Sequence, residues 1–190
     1  MLQPTVTHSQ RDETAATPRR EGDKETIRMT TPQPQGNPIF MQQAIALATE
    51  NVTSGAGGPF GAVIVRDNAV IATGVNRVTR SNDPTAHAEI TAIRAACQAL
   101  STFQLTGCLV YTSCEPCPMC LAAIYWARCS AIFYGNTAAD AAQIGFDDSF
   151  LYAEVKKPIA DRSVPTVQLL SDQAITSFQA WRDQIERIDY

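Results

Sequence analysis

Histidine is nearly missing from this chain: His8 and His87 are the only two in 190 residues, so imidazole chemistry has few places to sit. Aromatic residues are also sparse, at 7%, while 45% of the residues are hydrophobic, so the core has to be assembled mainly from Ala, Ile, Val and Leu. No apolar run approaches the roughly 18 to 20 residues that span a bilayer. The N-terminal stretch has neither the apolar block of a secretory signal nor the acid-free composition of a transit peptide, which makes the cytoplasm the expected location. A basic surplus is lacking as well. Lys and Arg number 15 against 19 Asp and Glu, a net charge of −4, and five of the 15 cations fall within the first 38 residues. Proteins that bind nucleic acid by collecting phosphates show the opposite balance, so a small neutral ligand fits better than a polyanion. Six cysteines are present, and with no sign of secretion they read as metal ligands or buried thiols rather than as a disulfide framework.

Thr, Gln, Pro and charged residues dominate the first 36 positions, which bury too little apolar surface to offset the entropy of ordering. Residues 1–36 are expected to be a disordered tail and residues 37–190 a single folded domain. Asn37-Pro38 is an N-cap followed by proline at the first helical position, and Phe40, Ala44, Leu47 and Ala48 continue a helical stripe. Beyond a glycine-rich turn, β-branched runs at 61–66 and 69–73 flank Asp67-Asn68, a hairpin signal. The pattern then predicts helix 87–100 burying Ile90, Ile93 and Cys97, strand 108–112, helix 118–128, strand 131–134 and a short helix at 138–144. An irregular stretch at 145–158, a last strand at 166–170 and a last helix at 175–188 complete it. Strands alternating with helices after a hairpin imply a three-layer α-β-α domain around a mixed five-stranded sheet.

Two short segments carry chemistry. Thr85-Ala86-His87-Ala88-Glu89 opens one helix, and Glu115-Pro116-Cys117-Pro118-Met119-Cys120 opens another. Together they match the H-x-E and P-C-x-x-C pattern of zinc deaminases. Two cysteines on a helix's first turn bring both sulfurs to one ion, and the helix dipole favours their thiolate forms. With His87 as third ligand, the fourth tetrahedral position stays open for water, whose pKa zinc lowers to about 7; structural zinc sites fill all four. Glu89 lies about 200° around a helix from His87, so the two converge only over the open N-terminal end. There Glu89 is placed to shuttle the proton of zinc-bound water to a ring nitrogen and then to the leaving amine. Taken alone, Cys-x-x-Cys reads equally as a structural zinc knuckle or a redox pair. Cys114 is the competing ligand, disfavoured because it belongs to a strand end while Pro118 fixes the helix start. Cys97, Cys108 and Cys129 read as core thiols, and His8 as inert.

From Gly57 onward the chain resembles the bacterial guanine deaminases of the cytidine-deaminase-like fold. The selective segments are Gly58-Pro59-Phe60-Gly61-Ala62, the run from Asn82 to Glu89, Gly145-Phe146-Asp147-Asp148, Phe178-Gln179-Ala180-Trp181-Arg182 and the terminal tyrosine. The resemblance implies one Zn2+ per subunit held by His87, Cys117 and Cys120, with Glu89 as proton shuttle. It further implies that Asn76 bonds the purine edge, Phe60 packs on the ring, and Asp148 contacts guanine and assists proton transfer. It also implies a homodimer whose exchanged C-terminal segment brings Tyr190 to the partner's pocket. By residue type alone these positions have plainer readings: Asn76 a turn residue, Phe60 core, Asp147 and Asp148 a solvated pair, Tyr190 a loose terminus. The reaction implied is hydrolysis of guanine to xanthine and ammonia in purine catabolism or salvage. Guanosine deamination is the nearest alternative, then transfer RNA adenosine deamination, then a non-enzymatic zinc-stabilised module. No membrane or nucleic-acid partner is expected.

Overall fold

The computed structural model describes residues 34–189. Residues 1–33 of the tail expected at 1–36, His8 among them, and Tyr190 lie outside the described residues. Helix α1 (Pro38–Thr53) begins where Asn37-Pro38 signals it: the Asn37 side chain accepts the Ile39 amide at 3.0 Å. Strands β1 (Gly61–Arg66) and β2 (Ala69–Val75) form the expected hairpin, with Asp67 and Asn68 both at positive φ as its tight turn requires. The loop after β2 contains one helical turn, α2 (Val78–Ser81), followed by α3 (Ala88–Leu100), β3 (Leu109–Cys114), α4 (Pro118–Trp126), β4 (Ala131–Asn136) and α5 (Ala138–Gln143).

Four strands pair in the order β2-β1-β3-β4, with β1 antiparallel to both neighbours and β3 parallel to β4. The sheet is mixed because α4 carries the chain from β3 across to β4. Period-two alternation divides β1 and β3 between two cores. Val63, Val65 and Tyr111 face α1, while Ala62, Ile64 and Val110 face α3 and α4. As expected, small aliphatic side chains fill the second core. The first depends on Tyr111, stacked on Phe133 at 4.7 Å, with its hydroxyl accepting the Asn37 amide at 2.9 Å.

The buried stripe of α3 is Ala88, Ala92 and Ala96, with Ile90 beside it. Ile93 and Cys97, expected on that stripe, are only half-buried. The alanines allow the helix backbone to lie almost on the sheet. A Cβ at Gly74 of β2 would sit 2.2 Å from the Ala88 carbonyl oxygen, so only glycine permits this approach.

Two expectations for the C-terminal part are corrected. The stretch 145–158 is not irregular throughout: α6 (Ser149–Lys156) forms there, and Glu154 pairs with Lys157 just beyond it. Residues 166–170 do not add a fifth strand to the described sheet. They form no ladder, since pairing requires a neighbouring strand that this segment does not meet, and Leu170 turns to positive φ at its end. The last helix is α7 (Ser171–Asp183).

Candidate active site

Helices α3 and α4 both start at one end of the sheet, and His87 and Cys117 are their N-cap residues. Each has extended backbone angles, and first-turn amides of the two helices turn to the site's own groups, the Cys120 amide to the Cys117 sulfur and the Glu89 amide to its own carboxyl. Pro118 sets the start of α4 and puts Cys120 on its first turn. His87 is held from behind by a folded turn. Its amide donates to the Thr85 carbonyl at 2.8 Å, and Asp83 accepts both the amide and hydroxyl of Thr85, which draws the Asp83 carboxyl below its ordinary pKa.

The ligand atoms of His87, Cys117 and Cys120 lie within 4.8 Å of one another, and His87 Nδ1 is 3.6 Å from each sulfur. The Cys117 thiol is lowered to about 4, chiefly by the hydrogen bond from Cys120 and also by His87. Cys120 is pushed up by that same hydrogen bond and by burial, so one negative charge is shared across the pair. One imidazole and two thiols of this spacing are the soft donor set that suits zinc, and three donors leave a tetrahedral ion one open position. Cys114 does not join them. Its sulfur is buried at the end of β3 and points to the Thr137 carbonyl at 3.6 Å, and burial raises its pKa to about 11. Cys97, Cys108 and Cys129 are free thiols, Cys108 fully buried and the other two partly.

Glu89 is 6% exposed and accepts from the Cys120 thiol at 3.4 Å, and burial raises its carboxyl pKa. A carboxyl group in this position accepts and returns protons more readily near neutrality than an exposed one. It opens into a cavity of about 590 Å³ that Phe60, Asn76, His87, Cys117 and Asp148 also line. Phe60 forms one wall and meets Phe146 edge-on, with ring centroids 4.9 Å apart. Asp148 is the N-cap residue of α6, and its pKa is raised by partial burial and by Cys117. The cavity therefore gathers His87, Glu89, Cys117, Phe60, Asn76 and Asp148. Phe146 joins them as a wall residue that the sequence marks only by its place beside the Asp147-Asp148 pair. A wider hollow of about 670 Å³ between Ile93, Phe103, Trp126 and Ile188 has no titratable lining residue.

This arrangement defines a class. The model of the cytidine and deoxycytidylate deaminase zinc-binding region matches residues 35–136, and the chain belongs to that family. More particularly, it is 56% identical over 151 residues to the guanine deaminase of Bacillus subtilis, covering 80% of this chain and 97% of that protein. The crystal structure of guanine deaminase from the same organism matches with a TM-score of 0.79 and 54% identity, over 82% of this chain and 99% of that one. A tRNA-specific adenosine deaminase of Agrobacterium fabrum is 52% identical over 77 residues, which is 40% of this chain and 51% of that protein.

Proposed function

We propose that the protein is a guanine deaminase, a zinc-dependent hydrolase that converts guanine to xanthine and ammonia in cytoplasmic purine catabolism or salvage, with residues 37–190 as its catalytic domain. The observation that carries the reading is the cavity shared by His87 and Cys117 of the donor set, with Cys120 buried behind them, the carboxyl of Glu89, the carboxamide of Asn76 and the carboxylate of Asp148. Similarity to the Bacillus subtilis guanine deaminase along nearly its whole length supports the choice of base.

His87, Cys117 and Cys120 would hold the ion, which when bound supplies a Lewis acid that makes water acidic enough to lose a proton near neutral pH. Glu89 takes one proton from the attacking water and gives it to a ring nitrogen of the base, then takes the second from the hydroxyl now on the ring carbon and delivers it to the departing amine as the carbon–nitrogen bond breaks. Phe60 lies against the purine face. Asn76 and Asp148 bond the purine edge, and Asp148 can pass protons at the rim, where its raised pKa suits the exchange.

The working unit in this reading is a homodimer in which the 166–188 segment crosses to the partner and Tyr190 closes the partner's pocket against water. Supporting it, Val167, Leu169, Phe178 and Ile185 are 84%, 80%, 73% and 99% exposed, a row of apolar side chains that one chain leaves uncovered. Ammonia release measured side by side with guanine, guanosine, adenine and cytosine tests the function. Release confined to guanine is expected. Preference for guanosine would move the substrate to the nucleoside, and inactivity on all four would defeat the reading.

A further inference from the structure

We infer that Asn51, in the last turn of α1, is the positioning residue of the pocket, orienting Asn76 for the ligand; this rests on the proposed deaminase reading. Asn51 is 4% exposed and sits behind Gly57 and Gly58, which line one side of the cavity. Both hydrogens of its carboxamide nitrogen are in use: Nδ2 donates to the Gly58 carbonyl at 2.8 Å and to the Asn76 carbonyl at 2.9 Å. Its own carbonyl accepts the amides of Ala56 at 2.9 Å and Gly57 at 3.2 Å. One residue thus ties the 55–58 loop to the strand end that carries Asn76.

The clamp is tight enough to dictate sequence. A Cβ at Gly57 would fall 2.3 Å from the Asn76 carbonyl oxygen and 2.8 Å from Asn51 Nδ2, inside the clamp itself. Its consequence appears on the Asn76 side chain, whose Oδ1 accepts the Val78 amide at 3.3 Å. An N–H can face only the carboxamide oxygen, so the Asn76 amide is fixed with its NH2 group turned to the remaining direction, the cavity that Asn76 lines. The pocket then presents a donor to an acceptor atom on the ring of the base. Asn51 never touches that base. It fixes the Asn76 backbone, and the backbone fixes the donor.

The test compares Asn51→Ala with Asn37→Ala, which removes the N-cap of the same helix at its far end and serves as a control for general loosening of α1. Asn51→Ala should raise KM for guanine about tenfold while kcat falls less than about threefold and zinc content holds, because the loss is one of ligand placement. Asn37→Ala should leave KM within about twofold of the parent. A second readout needs no substrate: hydrogen exchange at the Val78 amide should quicken in Asn51→Ala and not in Asn37→Ala. If Asn51→Ala does not fold, Asn51→Ser, which retains one donor, is expected to give smaller changes of the same kind. An unchanged KM with unchanged Val78 exchange, or equal changes in the Asn37 variant, would overturn the inference. A parent unable to turn over guanine would fail the substrate reading instead, and the exchange comparison would still decide the role of Asn51.

Discussion

Every buried residue of the described chain lies between Phe40 and Ala141; from residue 142 to residue 189 none is buried. The later stretch is not short of apolar side chains, with Phe150, Val155, Val164, Leu169, Phe178 and Ile185 all exposed. The difference lies in what each region meets. In the first, the pleat of β1 and β3 presents alternate side chains to helices on both faces, so each apolar residue finds a partner within the chain. In the second, α6 meets the first region only along the cavity, through Phe150, Leu151 and the Tyr152 hydroxyl that donates to the Pro116 carbonyl, and the 166–170 segment and α7 bury no side chain. The first region assembles the metal donors and Glu89 without help. The second leaves its apolar side chains exposed, the feature on which the proposed dimer rests.

That contrast can be broken or sharpened by experiment. Glu89→Gln should keep its zinc and its fold but lose turnover by about 10²–10⁴-fold, the usual contribution of a proton shuttle. Intact activity with intact zinc would take the shuttle away from the first region. Deleting Tyr190 should cost about 100-fold, the scale of a misplaced closing group, with zinc and dimer preserved. Co-expressing the two defective chains then asks which subunit supplies the tyrosine. In a mixed dimer the chain that keeps Glu89 borrows Tyr190 from its partner, so about a quarter of parental activity should return under random pairing. No recovery would mean that the tyrosine serves its own pocket.

How far this was legible beforehand follows the same division. Asn37-Pro38, Asp67-Asn68 and the two zinc segments act locally: a cap, a turn or a pair of ligands on one helical turn needs only near neighbours, and each stands where its residues indicated. The alternation Thr166-Val167-Gln168-Leu169 is an equally fair strand signal, yet a strand exists only when a distant edge pairs with it, which no local pattern specifies. Helix α6 was missed because it has no side-chain cap and only two turns of sequence to declare itself. Asn51 was invisible for a related reason. An asparagine near a helix end is ordinary, and its partners Gly58 and Asn76 are brought to it by the turn and hairpin that follow.

Two smaller effects sharpen the contrast further. Ile64→Ala, at a fully buried site, should destabilise the protein by about 2–5 kcal/mol by leaving a cavity. Ile185→Ala, at a residue 99% exposed in the single chain, should change unfolding stability by less than about 0.5 kcal/mol as a monomer. A weakened dimer at dilute concentration would be its signature, read by sedimentation, and an unaltered dimer would argue that α7 does not pack on a partner. Smaller still is the capping box of α5, where Asp140 accepts from Thr137 and its pKa is lowered from 3.8 by those hydrogen bonds. A carboxyl with a depressed folded pKa stabilises above its unfolded value and loses that contribution as pH falls through the folded one. The melting temperature of Asp140→Ala should therefore lie slightly below the parent's at pH 7, and the gap should close below pH 3.8. A gap constant across that range would show that the ionised form is not what caps the helix.

One zinc, held in the first region, enables hydrolysis of guanine. Removing metal with a chelator and returning zinc in measured steps while following xanthine formation tests it directly. Turnover should vanish on removal, rise in proportion to added zinc and level off at one ion per chain. Guanine turnover that survives complete removal of the metal, or that never appears in the fully zinc-loaded protein, would contradict the account.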